Sequence, residues 1–117
     1  MSKLVVIDIA HFQEAGIKNN LIVDFLKLYA GELVSLPQQF KTLMLASDYL
    51  GAERLLHSFK GASEVVGAYR VSALTQKLEK LIQTDDQQFD PEVLVAEFKQ
   101  GVEATQAGVK KMIAALS

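Results

Sequence analysis

Apolar positions recur along this chain at helical steps. In "NNLIVDFLKLYAGELVSLPQQFKTLMLA", residues 19–46, they fall at Leu21, Phe25, Leu28, Leu33, Leu36, Phe40 and Leu43. Steps of three to five trace one stripe along a helix. Pro37 lacks an N–H and clashes with the preceding turn, so the pattern predicts a kink or division near residues 33–36. In "SDYLGAERLLHSFKGASEVVG", Leu55, Phe59, Ala62 and Val66 share a face, with Leu56 and Ser63 beside it. "AYRVSALTQKLEKLIQ" places Val71, Leu74, Leu78 and Leu81 at steps of 3, 4 and 3. The last segment carries Leu94, Phe98, Val102, Thr105, Val109, Met112 and Leu116, a nearly unbroken stripe.

The polar positions between the stripes punctuate them. Asp8 suits the start of a short helix over residues 9–15 that ends at Gly16. Ser47 or Asp48 caps the third segment, and Gly67 stops it. "TDDQQF" is a polar connection. In "DPE", Asp90 caps, Pro91 fits the first turn, and Glu92 meets the positive end of the helix dipole. Four long helices, each with one apolar face and short links, predict an all-α fold: an antiparallel four-helix bundle with a short additional N-terminal helix.

Composition narrows the function. A length of 117 residues with half of them hydrophobic predicts a single domain over 1–117 that needs no metal or disulfide to hold it. The absence of cysteine excludes thiol catalysis and cysteine–zinc sites. A net charge of −2 is a poor footprint for nucleic acid. No apolar run reaches membrane-spanning length, and Asp8 interrupts "KLVVIDIA" too early for a signal-peptide core. A soluble, cytoplasmic monomer that binds neither nucleic acid nor membrane is the expectation.

One stretch resists the plain amphipathic reading. In "HSFKGASEVVGA", residues 57–68, His57, Lys60 and Gly61 fall away from the apolar face, together with Glu53 and Glu64. An exposed neutral imidazole is a competent nitrogen nucleophile that a partner protein can reach. Lys60 places an ammonium one turn away, suited to balancing charge on a phosphoryl oxygen. Gly61 removes the side chain next to the imidazole, at a cost of about 0.5–1 kcal/mol relative to alanine mid-helix. Taken alone, an exposed histidine is more often a plain surface residue. His11, beside Phe12 in the first helix, lacks such neighbours and reads as surface or end packing. The two histidines are too far apart for metal-ligand spacing, so no metal site is expected.

Residues 55–79, "LLHSFKGASEVVGAYRVSALTQKLE", resemble the histidine-containing phosphotransfer domain of multi-step phosphorelays. The shared pattern is His57, Lys60, Gly61, the small residues Ala62 and Ser63, then Gly67, Leu74 and the Leu78–Glu79 step, with Asp48 nine residues before the histidine. The chain departs from that pattern at Leu56, where alanine is usual, at Phe59, where leucine is common, and at Glu64, where a small uncharged residue is usual. Glu64 lies four residues after Lys60, a spacing that permits pairing across one turn.

The resemblance implies a relay intermediate without kinase activity of its own. His57 takes a phosphoryl group from the phospho-aspartate of one receiver domain, on a hybrid histidine kinase, and passes it to a second, on a response regulator. Lys60 assists electrostatically and Gly61 gives access. Partners dock around His57, at Glu53, Ser58 and Glu64. The domain needs no cofactor, because the receiver holds the Mg²⁺. No Gly-rich phosphate loop is present. Two other readings stay open: a helical adaptor that works without phosphorylation, and the phospho-acceptor module of a larger histidine kinase. The Met1 start and the end at "AALS" suit a free-standing protein. No orienting carboxylate for His57 is visible from the sequence.

Overall fold

The computed structural model describes residues 7–84 and 88–117. Among the described residues six helices follow one another: α1 (Ala10–Glu14), α2 (Asn19–Leu33), α3 (Leu36–Leu45), α4 (Tyr49–Val65), α5 (Tyr69–Gln83) and α6 (Pro91–Leu116). No strand occurs among the described residues. The middle of "TDDQQF", residues 85–87, lies outside them, as does most of the apolar run before Asp8.

α2 and α3 are one helix broken where Pro37 requires it. In an unbroken helix residue 37 would donate to the Leu33 carbonyl, and proline has no N–H to give. α2 therefore ends at Leu33, and Pro37 sits in the first turn of α3, where its missing N–H costs nothing. The broken helix, α4, α5 and α6 form a four-helix bundle. Both halves of the broken helix pack on α6, α3 also meets α4, α4 packs most extensively on α5, and α5 returns to α6. Asp48 caps α4 by accepting from the Gly51 N–H at 3.0 Å, and Asp90 caps α6 by accepting from the Glu92 N–H at 3.0 Å. Asp8 accepts from the Ala10 N–H at the start of α1.

Aromatic rings tie the bundle across its middle. Tyr29 of α2 stacks on Phe59 of α4, Phe59 meets Phe98 of α6 edge-on, and Phe98 packs on Phe40 of α3. Edge-on and offset contacts of this kind add to the area term for large rings. The phenylalanine at position 59 thus joins three helices. The Tyr29 hydroxyl shares a buried hydrogen bond of 2.7 Å with Ser63, and Ser63 is completely buried. Burial raises the Tyr29 hydroxyl from its ordinary 10.0 to about 12; the Ser63 hydrogen bond acts the other way, and Glu32 adds to the rise.

Two stripes lie rotated from their sequence-based phase. In α2 the buried residues are Ile22, Val23, Leu26, Tyr29 and Leu33, while Leu21 and Leu28 are exposed and Phe25 is barely covered. In α4 the buried face is Ala52, Leu56, Phe59 and Ser63, and Leu55 and Ala62 lie at its edge. Both segments hold adjacent apolar pairs, such as Leu21–Ile22 and Leu55–Leu56, so spacing alone fits two phases. The buried Tyr29–Ser63 pair accompanies the observed one. In α5, Leu74 and Leu81 are half-buried and Ser72, Thr75 and Ile82 join Val71 and Leu78 inside. Thr75 turns its hydroxyl to the Val71 carbonyl, which satisfies it without a partner helix.

α1 closes the end of the bundle at the α4–α5 turn. The Asp8 N–H donates to the Gly67 carbonyl at 2.9 Å, and His11 Nε2 donates to the Val65 carbonyl at 2.8 Å, so this histidine packs the end of α4. Gly67 has φ +79, and a Cβ there would collide with the Asp8 carbonyl oxygen. Gly16 has the same φ with nothing near its Cβ position.

The two glycines therefore separate strain from crowding. Gly16→Ala is expected to cost about 1 kcal/mol, the left-handed penalty alone, and Gly67→Ala at least about 2 kcal/mol. Denaturant titration of both variants checks this, and equal losses contradict the crowding at Gly67. Stability is also expected to fall as pH rises from 10 toward 12, because the unfolded chain ionises Tyr29 first. The drop is on the order of 2 kcal/mol. Tyr29→Phe removes that slope while costing about 1–3 kcal/mol at neutral pH, where Ser63 loses its partner. A wild-type stability flat across that range overturns the assignment.

Candidate functional site

Register between α4 and α5 builds the site. The chain reverses at Gly67, and each turn of α4 then faces a turn of α5. Glu53 accepts a hydrogen bond from Gln83 Nε2 at 2.8 Å. One turn on, His57 Nδ1 lies 3.3 Å from Glu79 Oε2. A carboxylate oxygen only accepts, so Nδ1 carries the proton and Nε2 is left bare. The His57 side chain is 75% exposed and that of Glu79 only 12%, so the carboxylate supports the ring from beneath.

Glu79 corrects the expectation that His57 has no orienting carboxylate. It stands 22 residues further along, and only the fold brings it there. The Leu78–Glu79 step was the available signal: with Leu78 buried on the core side, its neighbour reaches the α4–α5 edge. Gln83, one turn after Glu79, and Leu50, two turns before His57, were also missed. Leu50 is exposed and, with Arg54, borders an open depression of about 430 Å³ that includes His57, Glu53, Ser58 and Glu79.

The other sequence candidates take distinct places. Lys60 is half-buried, one turn from His57, and Glu64 is exposed. The pair permitted by spacing does not form: among the described residues the ion pairs are His57–Glu79 and Lys77–Glu97. Among the described residues Lys60 therefore has no ion-pair partner. Gly61 is exposed, and a Cβ there would meet nothing within 4 Å. The protein's own packing does not call for glycine at this position. Ser58 is exposed on the flank facing α2 and α3, whereas Glu53 is tied to Gln83. No group of acidic residues and histidines among the described residues is arranged to hold a metal ion.

A family model described as "Hpt domain" matches residues 24–116, nearly the whole bundle. The chain belongs to the histidine phosphotransfer (Hpt) family. Membership agrees with the helical bundle and makes the chain a phosphotransfer module of phosphorelays, a class that works with receiver domains of two-component systems and is distinct from the kinases. Neither the curated proteins nor the solved structures gave a match. No helix of the described residues in this Hpt chain is long and apolar enough to cross a membrane.

The tautomer is open to direct measurement. Nitrogen-15 NMR at neutral ring charge is expected to find the His57 proton on Nδ1. Glu79→Gln keeps an acceptor and keeps that tautomer, whereas Glu79→Ala shifts the proton toward Nε2. A wild-type ring protonated on Nε2 contradicts the geometry.

Proposed function

We propose that His57 is the phospho-acceptor of a relay between two receiver domains. The observation that carries this reading is the bare, outward Nε2 of His57 above the Glu79 carboxylate. The Nε2 lone pair attacks the phosphorus of a receiver's aspartyl phosphate. The N–P bond forms as the bond to the aspartate oxygen breaks, and the aspartate leaves as carboxylate. The ring keeps its proton on Nδ1 and gains positive charge, which the adjacent Glu79 carboxylate offsets. The reverse attack, by the aspartate of a second receiver, releases the phosphoryl group and restores the neutral ring.

Transfer of this kind depends on in-line positioning and charge neutralisation. Lys60, which has no ion-pair partner among the described residues, supplies a cation next to the phosphoryl oxygens. The receiver brings its own Mg²⁺, and this chain holds no cofactor. Gly61 leaves room for the incoming group, in keeping with the empty space at its Cβ position. The receiver docks on the face around His57, against Ser58, Glu64 and the exposed side of Glu53. The donor is the receiver of a hybrid histidine kinase and the acceptor that of a response regulator, with the exchange taking place in the cytoplasm as one domain over 1–117.

Incubation with phosphorylated receivers tests the proposal. His57→Gln is expected to fold and to take no phosphate; label on that variant moves the acceptor to another residue, whereas a wild type that takes no label leaves the adaptor reading. Lys60→Ala is expected to slow transfer about tenfold, the order of one lost charge contact in an exposed site. Gly61→Leu is expected to block transfer with helicity kept or raised, and unchanged transfer ends the clearance argument.

A further inference from the structure

The face opposite His57 carries a second surface. The α3–α6 side of the bundle lies across from the α4–α5 side, and a groove of about 530 Å³ runs along it. Its walls include Val34, Pro37 and Leu45 from the broken helix, with Val95 and Ala96 from α6. Val34 is 73% exposed and Leu45 55% exposed, so this apolar surface is open to water.

Along the outer edge of α6 beside the groove, charges alternate. Glu92, Lys99, Glu103 and Lys110 are all exposed, and among the described residues none makes an ion pair or a side-chain hydrogen bond. With Ala96 and Gln106 between them, they follow the spacing 4, 3, 4, 3, 4 of a helix-packing seam. The order is complementary to its own reverse. Glu92 and Lys110 stand nine residues either side of Gly101, and Lys99 and Glu103 stand two either side. Two α6 helices laid antiparallel about a two-fold axis at the level of Gly101, on the outer side of the helix away from that glycine, therefore set Glu92 against the partner copy's Lys110, and Lys99 against its Glu103, each twice. A two-fold interface requires this self-complementarity. At about 1.5 Å per residue the seam is roughly 27 Å long.

We propose that the α3–α6 face is a dimerisation surface, taken by α6 of a second copy of this chain packed antiparallel in the groove. The open apolar wall supplies burial, and the charge order supplies orientation. Exposed ion pairs are individually weak and screened by salt, so the dimer is weak and salt-sensitive. The two His57 faces point outward and stay free for receivers. The dimer stands independently of the phosphotransfer reading, and His57→Gln leaves it unchanged.

Sedimentation of the full chain over a range of concentrations tests this. The wild type is expected to approach twice the 12.9 kDa of one chain at low salt and to dissociate as salt is added. Lys99→Glu or Glu103→Lys alone sets like charges against each other twice and weakens association by about tenfold or more. The two variants mixed restore opposite charges at both places, so the mixture is expected to associate where each alone does not. The double variant K99E/E103K likewise regains the dimer. A wild type that stays single at low salt overturns the proposal, as does a dimer indifferent to either reversal or a mixture that stays apart. A receiver domain whose NMR footprint falls on α3 and α6 also overturns it, giving the groove a different occupant.

Discussion

The Gly67 turn is the constraint on which the site depends. Its left-handed backbone folds α5 back along α4, and its carbonyl accepts the Asp8 N–H that holds α1 over the same end. The packing of α4 on α5 carries the register set at that turn along to the site. A one-residue slip of α5 turns its side chains by about 100°, which carries Glu79 away from His57 and Gln83 away from Glu53. The chemistry of an exposed imidazole is thus set ten residues away, by a glycine chosen both for its φ and for the space it leaves a neighbouring carbonyl.

The core beneath the site is rigid for a related reason. Phe59 lies two positions after His57 and is held between Tyr29 and Phe98. Ser63, two residues after Gly61, is fixed to the Tyr29 hydroxyl in the interior. The exposed face of α4 therefore rests on a buried face that has little freedom to rotate. This separation lets His57, Lys60 and Gly61 stay solvent-facing while the helix that carries them remains firmly placed. The Pro37 break serves the same end. It divides one long helix into two segments that both follow α6, and it lets Phe40 reach Phe98.

The resemblance and the geometry support each other at different points. The His57–Lys60–Gly61 pattern makes no statement about tautomer, and the Glu79 contact supplies one. The open space at Gly61 agrees with a role outside the protein's own packing. Glu64, which breaks the family pattern, pairs neither with Lys60 nor with any other charge among the described residues. It is an exposed negative charge on the His57 face, so its effect falls on whatever docks there.

Much of this was legible in the residues alone. The helices, the Pro37 division, the Asp48 and Asp90 caps and the outward face of His57 all follow from local rules: 3.6-residue periodicity, capping chemistry and the missing proline N–H. The phase of α2 and α4 was not, because adjacent apolar pairs such as Leu21–Ile22 and Leu55–Leu56 satisfy the period in either of two rotations. Tertiary packing chose between them by burying Tyr29 against Ser63, a polar pair that spacing does not reveal. Glu79 was named from the sequence only as part of a pattern. Its place under His57 depends on two helices meeting in one register, and that is a property of the turn and the packing, which no local stretch of the chain contains.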